Sequence, residues 1–463
     1  MRRSLLAIAA ALAAALVAGP APASAAVHTK SFDFPVTLDP YEVRQKVDLI
    51  RTPEVDGFIT KMNVEVVDAV TEKPVPIRRV MLHHVVFASI GQPNPHCEVF
   101  RDFGNRKSYL NGARPFFGLG EERNQLTLPP GYGYQIKKEE KFWAMVWMLM
   151  NHRGVKDPAL IRYTVTWDDS DDITPVHPYW LDVRNCRADP VYDVPGGKAK
   201  GSTHTETYDY TMPESGRIVG GWGHVHGGAK HLTVSQPDCG NRRIYRSQPA
   251  WGMPEHPFYN VKPVLHEPGP VSMSYFQSQQ GYPIRKGERI RLSSRYDAQR
   301  LHTRVMGIAG VFVASQPVGK CAAPPTDAVI KQPARERGQP FRTRTPKFTI
   351  PLIGYDEDGK AREIERPPGK RVELQSGDTI GVASNFFSKP NVLLDKGSLL
   401  RWRFGGSTLH NVTVANGPRG FSSANLDDGR GFKFRFRKPG TYKLFCALHP
   451  VGMNETVKVV PKD

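Results

Sequence analysis

Residues 442–453 read YKLFCALHPVGM, and residues 409–413 of the same C-terminal region read LHNVT. Beyond residue 321 the chain has one cysteine, two histidines and one methionine, and all of them lie in these two segments: His410, Cys446, His449 and Met453. The pattern is a distant His followed by Cys-x2-His-x3-Met. One loop therefore supplies three donor side chains, and a neighbouring strand supplies the fourth.

This donor set suits a copper site that transfers electrons. A thiolate and two imidazoles form a trigonal plane around copper, and a thioether binds weakly above it. Such a site changes its geometry little between Cu(I) and Cu(II). The region from about Pro390 to Val460 resembles the cupredoxins, the plastocyanin and amicyanin group. The resemblance implies a Greek-key β-sandwich with a type 1 copper bound by His410, Cys446, His449 and Met453.

The composition favours a turn-rich chain of several domains. The 463 residues suggest about three domains. Glycine and proline number 42 and 40, and helical periodicity is scarce. Strand-like runs separated by Gly, Pro, Asn and Asp clusters recur at residues 58–67, 80–88, 142–150, 161–167, 218–225 and 305–313. The sequence therefore predicts an all-β fold built from sandwiches.

The net charge of +18 is partly concentrated in the C-terminal region. Residues 388–463 carry 13 basic and 5 acidic side chains, a net charge of 13 − 5 = +8. Within it, residues 431–438 read GFKFRFRK, which predicts a strand with its phenylalanines toward the core and its basic side chains toward water. The basic face is either a solvated surface or a docking surface for an acidic redox partner. Nucleic-acid binding rests on net charge alone and is not expected.

Residues 1–25 predict export. Arg2 and Arg3 precede an Ala/Leu-rich stretch, and Ala23-Ser24-Ala25 fits an A-x-A cleavage site. No later segment contains 18 uncharged apolar residues. We therefore expect a secreted, extracellular or periplasmic protein without a transmembrane anchor, in a compartment that permits disulfides.

Two composition shifts predict domain boundaries. Residues 189–201 read DPVYDVPGGKAKG, and residues 322–347 are rich in Pro and Arg. The expected organisation is a signal peptide (1–25), a first sandwich (26–190), a second sandwich (191–321), a linker (322–347) and a cupredoxin domain (348–463, core about 388–463). With Cys446 assigned to copper, Cys97, Cys186, Cys239 and Cys321 remain. They allow three disulfide pairings, of which Cys97–Cys186 with Cys239–Cys321 keeps one bridge in each sandwich.

Two histidine pairs lie upstream of the cupredoxin region. His83 and His84 are adjacent in a strand-like segment, so their side chains would point to opposite faces unless the strand bends. His224 and His226 form a His-x-His whose side chains point the same way in a strand. His152 follows another apolar run. Each pattern alone is ambiguous, but their order and spacing together favour metal binding.

This arrangement resembles the copper type II, ascorbate-dependent monooxygenases, which include peptidylglycine α-hydroxylating monooxygenase and dopamine β-monooxygenase. The resemblance implies two tandem β-sandwich, jelly-roll-like domains at about residues 30–320. It assigns His83, His84 and His152 to an electron-transfer copper, and His224 and His226 to an oxygen-binding copper. The third ligand of the oxygen-binding copper stays open between His302 and Met306, with Met273 as a weaker candidate. The expected cofactors are up to three copper ions, one type 1 and two type II-like.

The sequence departs from that family near the expected substrate. Trp222 stands two residues before the His-x-His, where the peptide hydroxylase has an Arg that binds the substrate carboxylate. A C-terminal-glycine peptide is therefore not expected, and Trp222 suggests an apolar or aromatic small molecule. The remaining histidines, among them His266, are expected to be structural.

The leading hypothesis is a copper-dependent monooxygenase that hydroxylates a C–H bond with O2. Its electrons would come from an ascorbate-like reductant or an acidic redox protein through the fused cupredoxin domain. The alternative is a non-catalytic secreted copper-binding or electron-transfer protein. A multicopper oxidase needs four His-x-His-type motifs and the sequence has one, while hydrolases lack support because no G-x-S-x-G motif is present.

Overall fold

The structure is a computed structural model that describes residues 27–97, 111–123, 125–253, 259, 261, 264–332, 341–342, 352–355, 361–364, 367 and 369–462. The expected signal peptide, residues 1–25, lies outside these ranges. Of the predicted linker, 322–332 and 341–342 are described. No helix in the described ranges combines the length and the hydropathy that a membrane-crossing segment requires.

The described residues form strands joined by turns, and Pro237–Cys239 form a 3-10 turn. Those up to residue 194 are β1 (Val27–Leu38), β2 (Val43–Arg51), β3 (Gly57–Asp68), β4 (Val80–Ile90), β5 (Ala113–Gly120), β6 (Leu126–Thr127), β7 (Tyr132–Ile136), β8 (Phe142–Asn151), β9 (Asp157–Asp168), β10 (Thr174–Pro175), β11 (His177–Asp182) and β12 (Tyr192–Val194). Residues 203–331 contain β13 (Thr203–Thr211), β14 (Gly216–Val225), β15 (Ala229–Gln236), β16 (Arg242–Ser247), β17 (Pro249–Gly252), β18 (Ser272–Met273), β19 (Tyr275–Ile284), β20 (Arg289–Asp297), β21 (His302–Val305), β22 (Gly307–Ser315) and β23 (Val329–Lys331). The C-terminal part contains β24 (Phe341–Arg342), β25 (Leu352–Tyr355), β26 (Ala361–Ile364), β27 (Val372–Glu373), β28 (Thr379–Ala383), β29 (Phe386–Phe387), β30 (Asn391–Asp395), β31 (Leu399–Phe404), β32 (Thr413–Asn416), β33 (Gly431–Arg435), β34 (Gly440–Phe445) and β35 (Asn454–Val460). The all-β prediction is confirmed.

The N-terminal strands form two facing sheets. One has the order β1-β9-β3-β7-β10 with β6 paired to β3, and the other has the order β2-β8-β4-β5. Burial along β9 alternates residue by residue, as expected for a strand with one face on a core. Phe87 of β4 contacts Tyr163 of β9 across the interior, with ring centroids 5.7 Å apart. These contacts make the two sheets a sandwich.

A second sandwich follows, and it packs directly on the first. Its sheets have the orders β11-β22-β14-β19-β23 and β13-β20-β15-β16. At Gly118 of β5, an added Cβ would lie 3.3 Å from Trp222 of β14, so the two sandwiches meet at these strands. One hydrophobic cluster spans both sandwiches. The two sandwiches therefore share a buried junction. It contains β4 and β14, which carry histidines of the two pairs, and β5, which packs against β14.

The C-terminal strands form a separate sandwich with its own core. Its sheets have the orders β27-β30-β35-β34-β32 and β29-β28-β31-β33. Trp402, Phe436 and Tyr442 are buried in that core, and the Lys433 and Arg435 side chains of β33 are exposed. The predicted alternation of the 431–438 segment is thereby confirmed. Leu301, outside this sandwich, also packs against its core.

Both expected disulfide pairs are joined in the structure. Cys97 and Cys186 lie with Sγ atoms 2.00 Å apart, and Cys239 and Cys321 with Sγ atoms 2.09 Å apart. The bridges close loops of 89 and 82 residues. Loops of this length restrict the unfolded chain strongly, so each bridge stabilises the fold.

The second bridge gives a stability prediction. Replacing both Cys239 and Cys321 by Ala should lower the free energy of unfolding by about 2–5 kcal/mol, because the unfolded chain regains the entropy of the open loop. Denaturant titration of the variant against wild type measures the change. Peptide mapping without reduction should recover the two bridges, and a Cys186–Cys239 peptide would contradict this pairing.

Glu214 gives a second stability prediction. Its carboxylate accepts a hydrogen bond from His177 Nδ1 at 2.9 Å and further bonds from Tyr179 Oη and Ser315 Oγ. Burial raises the pKa of the carboxyl, but these hydrogen bonds outweigh burial and lower the pKa to about 2 from an ordinary value of 4.5. The folded state then binds fewer protons than the unfolded state between these values, so stability falls as pH decreases through that range.

Glu214→Gln removes this titration. The stability difference between wild type and the variant should be largest above pH 5 and should shrink as pH falls toward 2. Thermal unfolding as a function of pH measures it, with the exposed Glu139→Gln as a control that should track wild type. A difference that stays constant over this range would show that the Glu214 hydrogen bonds contribute no pH dependence.

Candidate metal centres

The first centre lies at one end of the C-terminal sandwich. His410 is fixed by two backbone hydrogen bonds with Leu426, at 2.9 and 2.8 Å. Cys446 directly follows β34, and Met453 directly precedes β35. The loop between them is closed by backbone hydrogen bonds from His449 N to Cys446 O and from Met453 N to His449 O, both 3.0 Å. The paired strands therefore hold both ends of the ligand loop.

The donor atoms of this centre converge. The Nδ1 atoms of His410 and His449 are 3.2 Å apart, and Cys446 Sγ is 3.6 Å from His449 Nδ1. Met453 is buried in the same core cluster as Cys446. The structure thus brings three of the four predicted ligands, His410, Cys446 and His449, within 4.8 Å of one another, and it places Met453 at the end of the same loop.

The electrostatics of the centre suit a bound cation. Burial raises the pKa of the Cys446 thiol and lowers that of His449 to about 4. The imidazoles are therefore neutral donors, while the thiolate needs a positive charge beside it, which a copper ion would supply. The residues present fit type 1 copper.

Asn411 is a functional residue that the sequence analysis missed. Its backbone N–H points at Cys446 Sγ at 3.4 Å, and its side-chain oxygen accepts a hydrogen bond from Ala447 N at 2.8 Å. Its amide nitrogen donates to Asn425 Oδ1 at 2.9 Å. Asn411 therefore ties the two ligand segments together, and its position directly after the distant His was the available signal.

The second centre lies at the junction of the first two sandwiches. The pairing of β4 with β8 shifts register between Leu82 and His84, which leaves His83 as the extra residue of a bulge. The rings of His83 and His84 lie 4.1 Å apart between centroids, although a regular strand would point them to opposite faces. The bulge in β4 is therefore the bend that His83 and His84 need if both are to bind one metal ion.

The His-x-His pair reaches the same place from β14. The His226 ring lies 5.2 Å from His83 and 5.7 Å from His84, and the His224 ring lies 5.7 Å from His84. Donor atoms of His83, His84 and His226 all lie within 4.8 Å of one another. We call His83, His84, His224 and His226 the histidine cluster.

Hydrogen bonds orient three of the four rings of the cluster, those of His83, His224 and His226. His83 Nδ1 bonds Glu121 at 2.6 Å, and His224 Nδ1 lies 3.1 Å from both carboxylate oxygens of Glu122. His226 Nδ1 bonds the carbonyl oxygen of Arg304 at 2.9 Å. This is how metal-binding histidines are held, because a partner on one ring nitrogen aims the other.

The free ring atoms support metal binding. The Nε2 atoms of His84, His224 and His226 are buried and have no hydrogen-bond partner among the described residues. Burial, followed by the charges of neighbouring histidines, lowers the pKa of His84 and His226 well below the usual value. Buried neutral imidazoles with unused nitrogens are costly unless a ligand satisfies them. The cluster therefore fits a copper ion.

The other predicted ligands occupy different positions. His152 follows β8, and its ring lines a small void with His266 rather than belonging to the grouped donor atoms. Met306 lines a larger cavity together with His226, while His302 bonds Glu267 through Nδ1 at 2.9 Å. The structure thus gathers both histidine pairs into one cluster, where the sequence analysis expected two sets with separate third ligands. Met273 is buried in the hydrophobic core.

Three further residues at the cluster were not assigned to it from the sequence. Glu121 bonds both His83 and His266, and its second oxygen accepts a hydrogen bond from Gly269 N at 2.6 Å. Glu122 anchors His224. His266, expected to be structural, forms a candidate metal group with His83 and Glu121. Spacing along the chain gave no signal for them, because they meet the histidines only through the packing of separate loops.

A cavity of about 450 Å³ opens beside the cluster. Three kinds of side chain matter in its lining. They are three histidines of the cluster (His83, His84 and His226), three methionines (Met148, Met150 and Met306), and the two residues that flank Cys446 (Phe445 and Ala447). Trp222 is not among the described lining residues; it packs against Trp180 and Gly310 in the interior. Trp222 therefore does not contact this cavity and gives no reason to expect an aromatic substrate there.

Comparisons with known proteins agree with part of this assignment. The family described as Stress up-regulated Nod 19 matches residues 148–316. Amicyanin-alpha from Methylorubrum extorquens is 28% identical over 89 residues, which are 18% of this chain and 75% of that protein. Neither description names a monooxygenase.

Solved amicyanin structures are also similar over a small part of the chain. A reduced-state amicyanin mutant is 21% identical, covers 18% of this chain and 80% of its own, and has a TM-score of 0.17. Another reduced amicyanin mutant covers 19% of this chain and 85% of its own at 19% identity, with a TM-score of 0.18. At these TM-scores the structural likeness adds nothing to the sequence match.

The packing at Gly120 gives a prediction for the histidine cluster. A Cβ at this position would lie 2.4 Å from Cε1 of His224 and 2.8 Å from Glu122 Oε2. Gly120→Ala should therefore displace His224 and weaken metal binding at the cluster by about 10–100-fold. Titration of copper into the metal-free protein measures the affinity.

The matched control is Gly319→Ala, where an added Cβ has no neighbour within 4 Å. The control should bind copper as wild type does, and both variants should keep the cupredoxin site. Unchanged affinity at the cluster in Gly120→Ala would remove His224 from the ligand set.

Proposed function

We propose that this protein is a copper-dependent oxidoreductase in which the cupredoxin domain supplies electrons to the histidine cluster. The observation that carries the proposal is the shared cavity. Phe445 and Ala447, the residues on either side of Cys446, line the same cavity as His83, His84 and His226. The cupredoxin ligand loop therefore faces the cluster directly.

Copper would supply one-electron exchange at the Cys446 site and oxygen activation at the cluster. The protein's own residues have distinct roles in each place. His410, Cys446, His449 and Met453 hold the first ion, and Asn411 keeps their two segments in register. At the cluster, Glu121, Glu122 and the Arg304 carbonyl orient the rings.

The proposed reaction is hydroxylation of a C–H bond. The balance is R–H + O2 + 2 e⁻ + 2 H⁺ → R–OH + H2O, so two electrons must come from an external donor, such as an ascorbate-like reductant or an acidic redox protein. Met148, Met150 and Met306 give the cavity an apolar, adaptable wall. This wall favours an apolar small molecule as the substrate. His83, His84, His226 and Met306 border one cavity, which supports the monooxygenase hypothesis, with one cluster in place of two separated ions.

A second candidate is a non-catalytic copper-binding or electron-transfer protein. It is favoured by the sequence match, since the curated relative is an amicyanin and the match covers 18% of this chain. Both candidates share the cupredoxin copper and differ in whether the histidine cluster turns over oxygen. Both also share export to an oxidising compartment, which the two disulfides support.

Variants of the two centres test the proposal. Copper-loaded wild type should show an intense thiolate-to-copper absorption, and Cys446→Ser should lose it while keeping the paramagnetic resonance signal of nitrogen-bound copper. His226→Ala should keep the absorption but lose at least about tenfold in oxygen consumption, because a cluster ligand is missing. Visible spectra, paramagnetic resonance and oxygen uptake with a reductant and a panel of apolar substrates are the measurements.

The matched control is His28→Ala, which removes an exposed histidine paired with Asp169 far from both centres. It should match wild type in all three measurements. Wild type without the absorption would refute the cupredoxin copper. Oxygen uptake that His226→Ala leaves unchanged would favour the electron-transfer protein over the enzyme.

A further inference from the structure

Arg304 forms hydrogen bonds with residues next to each of the two candidate metal centres. Its carbonyl oxygen accepts the hydrogen bond from His226 Nδ1 at 2.9 Å. Its guanidinium donates to Asp189 Oδ2 at 2.6 Å and to the Ser423 carbonyl oxygen at 3.0 Å. Ser423 belongs to the cupredoxin sandwich, so one residue joins the histidine cluster to that domain.

The hydrogen bonds continue from Asp189 to the copper ligand loop. Asn425 Nδ2 donates to Asp189 Oδ2 at 3.3 Å, and Asn411 Nδ2 donates to Asn425 Oδ1 at 2.9 Å. The backbone N–H of Asn411 ends the series at Cys446 Sγ, 3.4 Å away. A continuous series of covalent and hydrogen bonds therefore runs from the His226 ring to the Cys446 sulfur.

A second set of contacts fixes Arg304 in place. Its backbone N–H donates to Asp193 Oδ1 at 3.0 Å, and Asp193 also accepts hydrogen bonds from Ser422 N and Oγ at 2.6 and 2.8 Å. The backbone φ of Arg304 is +52°, a conformation that a non-glycine residue adopts only when its surroundings hold it. The carbonyl that orients His226 is thus positioned by contacts with the cupredoxin domain.

The guanidinium of Arg304 is suited to joining two hydrogen-bond acceptors in a fixed geometry. The Arg304 and Asp189 side chains are 13% and 15% exposed, so their charge-assisted hydrogen bond is largely shielded from water. A guanidinium offers several donors in a rigid plane, and here two of them reach two different acceptors. Lysine keeps the charge but cannot reproduce this geometry.

We propose that Arg304 is a positioning residue that couples His226 to the Cys446 loop, and that the series Arg304, Asp189, Asn425 and Asn411 carries electronic coupling between the centres. The inference rests on the proposed function. One electron leaves the Cys446 site and one arrives at the His226 site, with no bond made or broken and no proton moved. The external donor then restores the electron at the Cys446 site.

Rapid photoreduction of the Cys446 site in the full copper-loaded chain tests the proposal. In wild type the thiolate-to-copper absorption should return by a first-order process that is independent of protein concentration. Arg304→Lys and Asp189→Ala, which removes the acceptor oxygen, should each slow this return by about tenfold or more while copper content and the absorption maximum stay as in wild type. Because both changes interrupt one series, the double variant should be little slower than either single variant.

The control is Arg403→Lys, an exposed arginine on the opposite sheet of the cupredoxin sandwich, which should leave the rate unchanged. The resonance signal of the cluster copper should shift in Arg304→Lys and stay unchanged in the control, because Arg304, unlike Arg403, carries the carbonyl oxygen that bonds the His226 ring. If Arg304→Lys does not fold, Asp189→Ala and its absorption band carry the same test.

Two results would overturn the proposal in different ways. Return rates within twofold of wild type in Arg304→Lys and Asp189→Ala would refute the coupling series while leaving the proposed function intact. A wild-type return that depends on protein concentration would show that the centres do not exchange electrons within one chain, and both proposals would fail.

Discussion

The desolvation of histidine rings at the junction of the first two sandwiches is the constraint on which the rest of this structure depends. Imidazole nitrogens lose their hydrogen bonds to water there, so each needs a protein partner or a ligand. Glu121, Glu122 and the Arg304 carbonyl supply one partner each to the rings of His83, His224 and His226. The remaining Nε2 atoms of His84, His224 and His226 have no such partner among the described residues. The junction is thus polar inside a large hydrophobic core, and these nitrogens are the atoms that a metal ion would bind.

The two centres differ in how far the sequence determines them. The candidate ligands of the C-terminal centre lie in two short segments, and a count of Cys, His and Met beyond residue 321 was enough to select all four. The strands that bracket the loop, β34 and β35, pair directly with each other. The positions of these ligands therefore depend mainly on local structure, and a sequence pattern can reveal local structure.

The upstream cluster depends on contacts between distant parts of the chain. Order and spacing singled out His83, His84, His224 and His226, but could not show which strands would face one another. The expected partition placed His152 with His83 and His84, whereas the packing of β5 against β14 brings the second pair there instead. The same reason explains why the sequence did not predict Glu121, Glu122 and His266 at the cluster. Each of them reaches it from a loop whose path is set by tertiary packing.

The bulge in β4 has a consequence for how such a site can originate. A regular strand that lacked one residue at position 83 would keep its ladder with β8 and its hydrophobic face, and would present one histidine instead of two. If the cluster binds a metal as proposed, insertion of one residue at this point adds a candidate ligand to the strand without rebuilding the sandwich around it. Deletion of His83 would remove one of four ring donors from a strand that keeps its pairing, so the loss would be visible as weaker metal binding rather than as instability.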